Sequence, residues 1–294
     1  MNALGAPGGP GQLGQTGAVP TSGLPWFLRV LFAFVRRELA ALGGYRTAFI
    51  VRIFGFGLAA GSLLFLSRFV GATVNPHLAV YRGNYLGFVV IGFLGTEFQQ
   101  VGVSGLAQRI RFSQMMGTLE AELATPAPPW MVLGAPPVYE FVASSLRSAA
   151  YLLGAKVLLG LDLSRVNLAS LVLSVPLIVA AFSGLGLLAA ATTMLVRRLN
   201  PVAMVIGSLS FFLSGVMYPV SVLPAWLRAA GRLLPLTHAL AVLRGALLVG
   251  AGPGELRGSL LALLIFAGVL GPIGAGLFAF ALRRARVDGS LSHY

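Results

Sequence analysis

Glu97, Gln99 and Gln100 interrupt an otherwise apolar stretch from about Tyr85 to Ala107, and they are the first side chains in the chain placed to do chemistry there. A carboxylate at bilayer depth is costly unless it is paired or faces water. Two readings of Glu97 are therefore open: it lines a pathway or a seam between subunits, or it pairs internally, with Arg147 the candidate. Glu140 and Arg147 lie two turns apart on one helix face, too far to bond each other, so each is expected to find a partner on another helix. Other chemistry is missing. A phosphate-binding loop needs Gly-x-x-x-x-Gly-Lys followed by Ser or Thr, because the lysine reaches the phosphates. Lys156 is the only lysine and Val157 follows it. His77, His238 and His293 show no metal-ligand spacing, and neither a Gly-x-Ser-x-Gly nor a His-Glu-x-x-His pattern occurs. Cysteine is absent, which excludes disulfides, thiolate metal sites and cysteine nucleophiles. The expectation is a non-enzyme that binds no metal or cofactor of its own.

The elements that carry these residues belong in lipid. The chain of 294 residues is 57% hydrophobic and 10% charged, with a mean hydropathy of +0.87. Soluble domains carry ~25% charged residues to cover their surface, so a chain this poor in charge needs lipid as solvent. The net charge of +13 is almost all arginine. Those arginines sit at the ends of apolar runs, as anionic lipid and the positive-inside bias would place them; a nucleic-acid partner is not expected. Residues 1–25 are read as a disordered tail, Gly/Pro/Gln-rich up to Gly23 and lacking the basic and apolar regions of a signal peptide.

Residues 26–42 form an amphipathic pattern, with Arg29, Arg36 and Arg37 opposite Phe27, Leu31 and Phe34, which suits a helix lying in the interface. Spans are expected at about 47–69, 85–107, 131–160, 168–196, 202–222 and 259–282. Some 23 residues rise about 34 Å, enough for a ~30 Å core. Pro136-Pro137 are expected to interrupt the third span, leaving its embedded part to begin after them. Six spans put both ends on one side. The arginine clusters at 36–37, 109–111, 197–198 and 283–286 make that side the cytoplasm.

Three segments resemble permeases of the ABC type-2 export family, which includes daunorubicin-type drug and polysaccharide exporters. They are Arg36-Arg37-Glu38-Leu39 with Tyr45-Arg46; Gly117-Thr118-Leu119-Glu120 with Ala124-Thr125-Pro126; and Ser214-Gly215-Val216-Met217-Tyr218-Pro219, running on through Leu223-Pro224-Ala225-Trp226-Leu227 and Leu234-Pro235-Leu236-Thr237-His238 to Leu243-Arg244. The resemblance extends from about Arg36 to Arg286, and the tail before Trp26 departs from it. It implies two permease subunits, identical or homologous, two cytoplasmic P-loop ATPase subunits that hold ATP and Mg, and outward movement of a drug, lipid or glycan.

On that basis the chain reads as an all-α membrane protein of the cell membrane: tail 1–25, permease domain 26–286 and a cytoplasmic C-terminal tail 287–294. It is expected to have six spans, an N-terminal interfacial helix and a re-entrant outer segment between the fifth and sixth spans. The ATPase interface is assigned to Arg36, Arg37, Glu38, Gly117, Thr118, Glu120, Glu122, Thr125 and Pro126. The pathway or outer gate is assigned to Glu97, Gln99, Gln100, Tyr218, Pro219, His238 and Arg244. His238, Ala241 and Arg244 could share a face of a short helix begun by Pro235, although His238 and Arg244 anchoring that helix at the headgroups is an equal reading. The alternative function is an ATP-independent carrier that couples protons through Glu97.

Overall fold

The computed structural model describes residues 84–118, 129–196 and 201–287, together with Gly55, Gly61, Ser62 and Tyr81. The expected tail, interfacial helix and nearly all of the first span lie outside the described residues. Arg36, Arg37, Glu38, Glu120, Glu122, Thr125 and Pro126 lie outside them too.

The described residues are helical, with no strand among them. They form α1 (Tyr85–Met115), α2 (Pro129–Leu159), α3 (Leu168–Val196), α4 (Pro201–Leu213), α5 (Ala225–Arg232), α6 (Pro235–Arg244) and α7 (Arg257–Val287). A 3₁₀ turn, Val220–Val222, precedes α5, and a π segment, Gly245–Val249, extends α6. Among the described residues, four helices are long and apolar enough to cross a membrane: α1, α2 from Glu140, α3 and α7. Together α5 and α6 with its π segment make a further apolar unit, bent by 88° at the break before Pro235. Pro235 begins α6 at its first turn, as expected, because its missing N–H costs nothing there.

Several expected boundaries change. The helix begun at Tyr85 runs to Met115 rather than to Ala107; 31 residues rise about 46 Å, so one end must project beyond a ~30 Å core. Arg109 and Arg111 stand in its last two turns. Pro136-Pro137 do not interrupt α2, which is helical from Pro129. Pro176 and Pro272 are likewise carried inside α3 and α7. The stretch of α2 that qualifies as a span begins at Glu140, after the prolines. The fifth apolar run does not form a helix over 202–222. It ends at Leu213 after 13 residues, below the ~17 needed to cross. A turn through Ser214–Pro219 breaks it.

α1 is the hub. Its Leu86, Phe88–Ile91 and Leu94 join Leu236, Leu240, Leu243 and Phe182 in the main buried cluster. α3 packs most extensively on α7 and then on α1, while α2 packs on α1. The approach of α1 to α3 is close enough that a Cβ on Gly102 or Gly186 would strike the opposing helix. Small residues allow such packing where lipid offers no hydrophobic drive to bring helices together.

Candidate functional site

Nearly every side of α1 is buried, and its less buried positions fall on one stripe. That stripe carries Thr96, Glu97, Gln100 and Gln108, half-buried or exposed, between Phe93 and Arg111. Residues spaced by three and four share a helix face, so one polar track runs down an otherwise apolar span. Glu97 is on it and is paired: Arg147 Nε donates to Glu97 Oε1 at 3.0 Å, with the two side chains 24% and 29% exposed. The internal pairing open on sequence is thus made, and it is made on the accessible stripe. Glu140 stands exposed on α2.

The three polar residues of this region do different things. Gln100 Nε2 donates to Ser104 Oγ at 3.2 Å along the stripe. Gln99 turns the other way, into the core, and donates to Ser210 Oγ of α4 at 2.8 Å. It ties α1 to α4 and has no access to the stripe.

A second polar centre lies near the start of α1. Arg244 is 3% exposed. Its Nε donates to Phe88 O at 3.1 Å and its Nη2 to Val216 O at 2.9 Å. Its guanidinium carbon lies 3.4 Å from the centroid of the Phe88 ring, a cation–π contact with the ring face. This rules out the headgroup-anchor reading for Arg244. Nor does Arg244 share a face with His238: six residues make one and two-thirds turns, and the half-buried His238 turns outward. His238 Nε2 lies 2.9 Å from Arg232 O, and its ring faces Phe266. Gly92 belongs to the same knot, since a Cβ there would collide with Val216 O and meet Arg244 Nη2. Tyr218 donates its hydroxyl to Phe212 O, and Pro219 precedes the 3₁₀ turn. Both close the turn that Arg244 holds.

At the other end of α1, Gly117 stops the helix. It has φ +67°, its N–H donates to Gln114 O at 3.1 Å, and Thr118 N donates to Ser113 O at 2.9 Å. This paired bonding satisfies the last carbonyls, and the left-handed position favours glycine. Gly117 and Thr118 therefore fix where the segment toward Glu120 leaves α1.

Sequence reasoning missed Phe88, Val216 and Asn167. Asn167 caps α3 by accepting from Ser170 N at 3.1 Å, while its own N–H donates to Ala246 O at 2.9 Å. Ser170 Oγ donates to Ala251 O at 2.8 Å. The turn before α3 is thereby tied to the π segment. An Asn just before an apolar run signals the cap; nothing in the sequence signals the carbonyls that receive Arg244.

A search of curated proteins returns no match. The family described as ABC-2 type transporter matches residues 29–248, which includes α1 to α6, the polar stripe and the Arg244 knot. The match covers most of the chain, and the chain belongs to the ABC-2 type transporter family.

Proposed function

We propose that this chain is the permease subunit of an ATP-binding-cassette exporter. It would move an amphiphilic drug, lipid or glycan outward across the cell membrane, driven by two separate P-loop ATPase subunits that hold ATP and Mg. The observation that carries the reading is the polar stripe of α1. A lipid-facing helix surface with Glu97, Gln100 and Gln108 would place a carboxylate and amides in hydrocarbon. A second permease subunit laid against the stripe, with water between the two, removes that cost and makes a path. Both termini are cytoplasmic in this arrangement, with six crossings when the span expected at 47–69 is counted and α4, too short to cross alone, completes its crossing through the turn at Ser214–Pro219. The bent α5–α6 unit is re-entrant from outside and forms an outer gate. The segment after Gly117 docks on the ATPase through Glu120 and Glu122, and Arg36, Arg37 and Glu38 border the same surface. The chain itself is not an enzyme.

The carrier reading has less support. The Glu97 carboxylate that would take the proton accepts the Arg147 bond, which a carrier would have to break in every cycle. The chain, co-purified with its ATPase and reconstituted in vesicles, should move a fluorescent amphiphile only when ATP is supplied. Uphill movement by the chain alone under an imposed proton gradient would replace this reading with the carrier.

A further inference from the structure

α1, α2, α3 and α6 enclose a cavity of about 190 Å³ that lies apart from the polar stripe. Its floor is apolar and buried: Ile91, Leu94 and Phe98 of α1, Ile178 of α3 and Leu243 of α6. Its mouth is formed by Ala149 and Leu152 of α2 and by Leu171 and Val175 of α3, which are exposed or half-buried. These two helices share the cavity wall but make at most marginal contact with each other, so a slit separates them. Leu146, Leu153 and Val172 flank it and are exposed. In a bilayer those side chains face hydrocarbon, and the slit opens sideways into lipid.

One wall group has no partner. Ser148 is 6% exposed, and its Oγ makes no hydrogen bond. A buried hydroxyl with its bonds unmade costs ~1–3 kcal/mol, and a helical serine usually turns back to the carbonyl four residues earlier. Neighbouring Ser145 does so, donating to Phe141 O at 2.8 Å. Ser148 lines the same cavity with its hydroxyl unbonded, and apart from these two serines the named lining is apolar. A cavity of ~150 Å³ lined by such residues stays dry and holds a benzene ring, so this one has room for a ring or short chain with a small polar substituent.

We infer that this cavity is a binding site for a membrane-dissolved amphiphile with a ring-sized or short-chain apolar body and one hydrogen-bonding oxygen. It enters between α2 and α3, and Ser148 Oγ bonds its oxygen. The inference rests on the chain lying in a bilayer and not on the exporter reading, so the two can fail separately.

The test uses the full-length chain in lipid nanodiscs and a photoactivatable octanol that carries a diazirine. Labelling should be saturable, competed by octanol, and concentrated in peptides spanning Ser145–Leu152 and Leu171–Ile178, well above the exposed α7 positions Ile265 and Val269. Ala149→Trp should block the mouth and abolish the excess; Ala149→Leu is a milder second variant in case the first misfolds. Ser148→Ala should reduce site labelling about two- to tenfold, the span of one neutral hydrogen bond, with the elution profile unchanged. Unsaturable labelling equal to that of the α7 face would overturn the site. Full labelling of Ser148→Ala would overturn the assigned role of the hydroxyl.

Discussion

Arg244 and Arg147 are both arginines inside a chain built for lipid, yet the protein treats them in opposite ways. Arg244 is wrapped by protein, donates to two main-chain carbonyls on separate elements and lies on an aromatic face. Arg147 is about a quarter exposed and meets a carboxylate on a polar helix stripe. The first arrangement has two fixed acceptors and excludes water, which makes a pin. The second keeps an accessible face, which suits a surface meant to stay wet. An arginine in an apolar run therefore means structure or pathway according to what surrounds it.

The comparison breaks first at the pin. Arg244→Leu removes two charge-assisted bonds, each worth ~1.5–3 kcal/mol, and should lower stability by ~3 kcal/mol or more, read as the midpoint of thermal unfolding in detergent. Arg244→Lys keeps the charge but cannot span both carbonyls, and should recover only part of the loss. If Arg244→Leu unfolds with the wild type, the guanidinium is no pin. Gly92→Ala comes next, because the added Cβ must push Val216 O away; overpacking of this kind costs ~1–3 kcal/mol, and the same unfolding assay reads it. Gln99→Leu leaves Ser210 Oγ without its donor and should cost ~1 kcal/mol. Its effect on transport should be no larger than its effect on stability, since Gln99 is turned away from the stripe.

The smallest effect on folding is expected at the ion pair. Glu97→Gln should change stability by ~1 kcal/mol or less, as for pairs that keep contact with water, yet reduce ATP-driven transport strongly. The double swap Glu97→Arg, Arg147→Glu should restore transport in part. A large folding defect in Glu97→Gln with normal transport would exchange the roles assigned to the two arginines.

Much of this was legible in the sequence, and the exceptions have causes. The run 168–196 appeared at the expected bounds because Asn167 marks its start and it is apolar throughout. α1 was read eight residues short because Gln108, Arg109 and Arg111 look like a loop when hydropathy sets the boundary; the true stop is Gly117, visible as a glycine after a basic last stretch. The fifth apolar run was read too long because hydropathy does not register the break through Gly215 and Pro219. Pro136-Pro137 signal an interruption that the helix does not make, although both lie beyond its first turn, where proline removes a backbone hydrogen bond; the stretch that qualifies as a span does begin after them, as expected. The Glu97–Arg147 pair was among the readings because both charges stand out against apolar neighbours. The acceptors of Arg244 were illegible because they are carbonyls, which every residue has.

The central claim is that the stripe on α1 faces water while the outer face of α2 meets lipid. The chain has no cysteine, so a single cysteine introduced at Gln100 or at Val142 reports its own site. In reconstituted vesicles with the ATPase present, a charged, water-soluble thiosulfonate should modify Gln100→Cys readily and leave Val142→Cys unmodified. Equal protection of both positions, or modification of Val142→Cys alone, would contradict the account.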